Sequence, residues 1–97
     1  MKAVIDDIVV AEVDDAEIIS IEGNSYFPPS SLKRDAFEES PTPYTCPWKG
    51  PCQYWNVNGN KDAAWSYHEI KPSAVERVGK DFAGYVAFDK QQVSITG

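Results

Sequence analysis

The chain has 97 residues, which suits a single domain over residues 1–97 with one core and no need of metal or disulfide support. A hydrophobic fraction of 42% with 12% aromatics excludes a disordered segment. Fifteen acidic against nine basic residues give a net charge of −6, which argues against nucleic acid and anionic membrane surfaces as partners, since both are held by clustered Lys and Arg.

The chain opens as β structure. Val4-Ile5, a turn at Asp6-Asp7 and then Ile8 to Ala11 predict a hairpin. This apolar run is too short to span a membrane. Met1 to Ile5 runs directly into two aspartates, so no apolar leader is expected and the setting is read as cytoplasmic. Cys46 and Cys52 are then expected as reduced thiols. Asp14-Asp15 marks a turn, Glu17 to Glu22 alternates until Gly23-Asn24, and Tyr26-Phe27 forms a short strand ended by Pro28-Pro29. Ser30-Ser31 predicts a cap on one helical turn reaching Phe37. Glu38 to Pro43 reads as a loop, and Thr45 to Cys52, with Pro47, Gly50 and Pro51, as a shaped loop.

Gln53–Val57 and Asp62–His68 are strands joined at Asn58-Gly59-Asn60, residue types that tolerate positive φ. Alternation then places Cys52, Tyr54 and Asn56 on one face with Ala63, Trp65 and Tyr67. Trp55 and Val57 fall on the other face with Asp62, Ala64 and Ser66. Ser73-Ala74-Val75-Glu76 matches a capping box and Gly79 suits the residue after a helix, predicting a helix over Ala74–Val78. Gly84–Phe88 and Gln92–Ile95 are the last strands, turning at Asp89-Lys90. About seven strands and one or two short helices imply an all-β, mostly antiparallel fold, as a small sandwich or partly open barrel.

One ordered set of motifs is distinctive. Thr45-Cys46-Pro47-Trp48-Lys49-Gly50, Tyr54-Trp55, Asp62-Ala63-Ala64-Trp65-Ser66-Tyr67 and Gly84-Tyr85-Val86-Ala87-Phe88, with Tyr26-Phe27-Pro28 upstream, resemble the small domain of unknown function numbered four-twenty-seven, sometimes labelled nucleotidyltransferase-like. The resemblance covers nearly the whole chain. It implies a compact β fold of the β-tent type and brings no established activity. The transferase label has no support in the residues, which include neither a Gly-rich phosphate loop nor a paired-Asp metal signature. Cys52, His68 and Asp89 depart from the family pattern.

The functional expectation is a ligand-binding cleft beside the Thr45–Gly50 loop. Lys49 would offer charge, Tyr54, Trp65 and Tyr67 a stacking wall, and Asp62 a partner that orients Lys49 or acts as a base; the ligand would be small and anionic or aromatic. Lys49 reads as exposed enough that its removal leaves stability nearly unchanged. Two other readings stay open. An enzyme could use Cys46 as nucleophile, activated by nearby Lys49, or Lys49 and Tyr67 in acid–base work. An interaction module could present aromatics or edge strands to a partner or a second copy, so monomer and homodimer are both allowed. Each residue also has an ordinary reading: buried Cys46 in a turn, core aromatics, a turn aspartate, His68 as an exposed imidazole and Arg34-Asp35 as a helix-surface pair. No cofactor is implied, and the spacing of Cys46, Cys52, His68 and Asp62 or Glu69 fits no standard zinc pattern.

Overall fold

The computed structural model describes residues 1–97. Nine strands follow in chain order: β1 (Lys2–Ile5), β2 (Ile8–Glu12), β3 (Ile19–Ile21), β4 (Asn24–Tyr26), β5 (Phe37–Cys46), β6 (Gly50–Val57), β7 (Asn60–Tyr67), β8 (Val86–Phe88) and β9 (Ser94–Thr96), with one helix, α1 (Pro72–Val78), after β7. They pair as β2-β1-β9, β3-β4 and β5-β6-β7-β8, every pairing antiparallel and no barrel closed.

Three hairpins turn on two residues with positive φ, a twist that matches the strands they join. Asp6 (φ 51°) and Asp7 (62°) link β1 to β2, Glu22 (53°) and Gly23 (79°) link β3 to β4, and Asn58 (49°) and Gly59 (79°) link β6 to β7. The first and last of these turns were expected. The middle one puts a glutamate in a left-handed conformation that L residues other than Asn and Asp seldom adopt, at a cost of roughly 1–2 kcal/mol.

The four-stranded sheet is covered on both faces. On one, Val57, Ala64, Val86 and Phe88 meet Ala3, Ile5, Val10 and Ala11 of the β1–β2 sheet, together with Phe27 and Val93. On the other, Cys46, Tyr67 and Ala87 meet Ile19, Ile21, Tyr26, Ala74 of α1 and Phe82. The β3–β4 hairpin reaches that second face from the side of β8, where Phe27 exchanges two backbone hydrogen bonds with Val86 (2.8 and 2.9 Å).

Several expected boundaries are corrected. The segment read as a loop, Glu38 to Pro43, is part of β5, and Thr45 to Cys52 contains the end of β5, a tight turn at Pro47-Trp48-Lys49 and the start of β6. Proline is tolerated because β5 is an edge strand and its register slips between Glu39 and Pro43, so Pro41 falls within the irregularity. Ser30 to Phe37 forms two separate 3-10 turns, Pro29–Ser31 and Arg34–Ala36. Helix α1 starts earlier than expected: Pro72 occupies the first turn after Lys71, no side chain caps it, and the Ser73 capping box does not form, while Gly79 ends it at φ 86°. The last two strands do not pair with each other, since β8 joins β7 and β9 crosses to β1.

The expected side assignment in the central hairpin holds for the aromatic residues, with Tyr54 opposite Trp65 and Cys52 opposite Tyr67. The register shifts between Trp55 and Val57, where Asp62 adopts φ 52°. Val57 pairs with Asn60 and Trp55 with Ala64, so β7 carries two extra residues there. An even number preserves the faces beyond the bulge. At the bulge itself alternation fails, and Ala63 packs in the same cluster as Ala64.

Candidate functional site

Strands β4, β5, β6 and β7 send aromatic side chains to one place. Tyr26, Tyr44, Tyr54, Trp65 and Tyr67 line a shallow cleft of about 220 Å³ together with Asn24 and Lys49. Tyr54 meets Trp65 edge to face at 6.5 Å, and Tyr67 meets Phe82 at 6.3 Å. The Trp65 indole Nε1–H donates to the Tyr26 hydroxyl at 3.1 Å, which fixes both rings. Tyr44 at the rim is 48% exposed. Burial holds the phenols of Tyr26, Tyr54 and Tyr67 above their ordinary pKa, so each keeps its proton.

Lys49 is part of this cleft but is not the exposed cation expected from sequence. It is 6% exposed, and its ammonium donates to the Glu22 carboxylate at 2.5 Å. The same ammonium lies 4.6 Å from the Trp48 ring centroid and 5.4 Å from that of Tyr67. Burial disfavours its charge, yet the Glu22 bond and neighbouring charges more than compensate and raise its pKa. The lysine is therefore held protonated. The turn that presents it is anchored just before α1: Lys71 donates its backbone N–H to the Lys49 carbonyl (3.2 Å) and its ammonium to the Pro47 carbonyl (2.8 Å). Arg77 of α1 also stacks 4.3 Å over Trp48. Gly50 sits at φ 120° so tightly against this segment that a Cβ would lie 2.5 Å from the Glu69 carbonyl oxygen.

The remaining expected site residues lie elsewhere. Cys46 is 5% exposed within the core beside Tyr67, which leaves a nucleophile there little access. Cys52 is half-buried and its thiol is pushed up to about 11 by burial. Both cysteines are free. Asp62 makes no bond to Lys49. Its carboxylate accepts from Ser40 Oγ (2.5 Å) and Thr42 Oγ1 (2.8 Å), and its N–H donates to Asn56 Oδ1 (3.0 Å). It thereby ties the irregular part of β5 to the bulge in β7 across β6. No group of three or more His, Cys, Asp or Glu side chains is placed to hold a metal ion.

A family model described as a domain of unknown function (DUF427) matches residues 1–96. The chain belongs to that family. No match was found among curated proteins. In this DUF427 chain the motif residues Tyr26, Lys49, Tyr54, Trp65 and Tyr67, drawn from four separate motifs, meet in the one cleft.

Sequence reasoning missed Tyr26, Tyr44 and Asn24 as cleft residues and Glu22 as the partner of Lys49. It also missed a larger cavity of about 430 Å³ on the opposite face of the DUF427 sheet. Trp55, Ser66 and Val86 line it, the alternates of Tyr54, Trp65 and Ala87, and Phe37, Leu32, Arg34, His68, Pro29 and Gly84 complete its walls. Trp55 Nε1–H donates to Ser66 Oγ (2.9 Å), which also bonds His68 Nε2 (2.9 Å). Alternation along β7 carried this signal, because Ser66 and His68 are two apart and so share a face. Arg34, expected to pair with Asp35, makes no ion pair.

Proposed function

We propose that the domain binds a small planar molecule in the cleft of Tyr26, Tyr44, Tyr54, Trp65 and Tyr67. The supporting observation is the convergence of five aromatic side chains from four strands on a cleft whose partners are already fixed by the Trp65–Tyr26 and Lys49–Glu22 bonds. Prefixed rings lose little entropy on binding, and phenols that stay protonated offer hydrogen bonds to a polar edge.

The charge balance bears on ligand class. Glu22 neutralises Lys49, so an anion gains little attraction unless it displaces Glu22. An uncharged heteroaromatic ring fits better than an anion. Catalysis is less well supported: Lys49 and Tyr67 are held protonated and Cys46 is buried, which removes the base and the accessible nucleophile that the enzyme reading needs. A cytoplasmic setting accords with two free cysteines. An acidic chain acting without nucleic acid, membrane or cofactor, as monomer or homodimer, completes the reading.

The test is equilibrium binding of adenine, indole and p-cresol to the parent and to Tyr44→Ala. Tyr44 is the most exposed ring of the cleft, so its loss should weaken binding about fivefold or more while leaving the melting temperature unchanged. Equal affinities in the two proteins would place any binding elsewhere.

A further inference from the structure

We infer that the cavity between Arg34, Phe37, Trp55 and His68 is a second binding site, one that takes a small aromatic carboxylate. Its volume of about 430 Å³ falls in the range of roughly 300–1,000 Å³ typical of small-molecule sites. Its walls are apolar and aromatic, from Leu32, Phe37, Trp55 and Val86, and among its polar residues Arg34 is a cation and none is an anion. The Arg34 side chain is exposed and makes neither ion pair nor hydrogen bond within the protein, so its five N–H donors remain for a carboxylate, which a guanidinium matches bidentately.

Ser66 holds the His68 ring in place through its hydroxyl. Indole can only donate, so Ser66 Oγ accepts from Trp55 and its own proton is free to go to His68 Nε2. When Ser66 Oγ donates to Nε2, the neutral ring carries its proton on Nδ1 and can donate it to a bound carboxylate. Ser66 is fully buried, so it acts as a positioning residue and not as a nucleophile. No carboxylate lines the cavity, in a chain that carries 15 of them. An aromatic acid would place its ring against Trp55 and Phe37 and its carboxylate on Arg34, with His68 beside it. This site does not depend on the cleft proposed above, because its lining residues lie on the other face of β6 and β7.

The experiment titrates 15N-labelled protein with benzoate, 2-naphthoate and the uncharged benzamide, following the three indole N–H signals. Saturable movement of the Trp55 signal by the two acids is expected, with benzamide about tenfold weaker. Arg34→Gln, an exposed substitution, should weaken both acids about tenfold with the fold intact and the response to benzamide unchanged. Ser66→Ala should weaken the acids less and shift the His68 ring signals, and Ser66→Thr, which keeps the hydroxyl, should restore them. The inference is overturned if Arg34→Gln binds the acids as the parent does, if benzamide binds as tightly as benzoate, if the acids move the Trp65 signal and not that of Trp55, or if millimolar acid moves neither.

Discussion

Glu22, at the tip of one hairpin, holds Lys49, at the tip of another, through a 2.5 Å ion pair between residues 27 apart in sequence. The pair is asymmetric: the lysine side chain is 8% exposed and the glutamate 55%. Removing either partner therefore has different consequences. Glu22→Ala leaves a buried ammonium with only the rings of Trp48 and Tyr67, and should destabilise by about 1–3 kcal/mol in urea unfolding. Lys49→Met frees a glutamate that water can solvate and replaces the ammonium by a side chain suited to an aromatic pocket. It should cost about 1 kcal/mol or less. A larger loss for Lys49→Met than for Glu22→Ala would contradict the asymmetry.

Gly50→Ala should be among the most damaging single changes. The new methyl group meets a backbone carbonyl at 2.5 Å and the residue sits at φ 120°. Neither the Glu69 carbonyl nor the Lys71–Lys49 bond can move without shifting α1. A loss of about 2–4 kcal/mol is expected from thermal or denaturant unfolding, against about 1 kcal/mol for Gly79→Ala, where a Cβ would meet nothing within 4 Å.

Asp62 links stability to acid pH. The Ser40 hydroxyl bond, opposed by slight burial and reinforced by Thr42, lowers its pKa from the ordinary 3.8. A carboxyl whose folded pKa is depressed stabilises the fold fully above its unfolded pKa and loses that contribution as pH falls through the folded value. Stability of the parent should thus decline below about pH 4. In Asp62→Asn that part of the decline should be absent and the protein less stable at neutral pH, with the two curves converging in acid.

The thiols should be sluggish. Cys46 is buried, and the Cys52 thiol rises from the usual 9.0 to about 11, so at pH 8 Cys52 carries roughly 100-fold less thiolate than an ordinary cysteine. A chromogenic disulfide reagent should label the native protein slowly and titrate two thiols on unfolding. Rapid labelling of one thiol in the native state would reopen the nucleophile reading for Cys46.

The turns were legible because they are local: Asp6-Asp7 marks a turn between apolar runs, and Asn58-Gly59 declares positive φ by residue type. The faces of Tyr54, Trp65 and Tyr67 followed from period-two alternation and survived an even-numbered bulge. β5 was not legible, because Pro41 and Pro43 signal a loop unless it is known that the strand lies at a sheet edge. The burial of Lys49 was equally hidden, since it depends on a glutamate in another hairpin. Tyr26 and Tyr44 join the cleft only through tertiary contact. Ser66 and His68 were within reach of sequence reasoning, but nothing local marks the arrival of Arg34 and Phe37 beside them.

The most direct measurement of the central claim is a map of which indole responds when adenine or indole is titrated into 15N-labelled protein. Trp65 donates to Tyr26 inside the tyrosine cleft, while Trp55 donates to Ser66 on the opposite face, so the two N–H signals report the two faces separately. Binding in the cleft predicts a saturable shift of the Trp65 signal with that of Trp55 unmoved, and a weaker response in Tyr44→Ala. A Trp65 signal that stays fixed at millimolar concentrations of every uncharged planar probe would contradict the account.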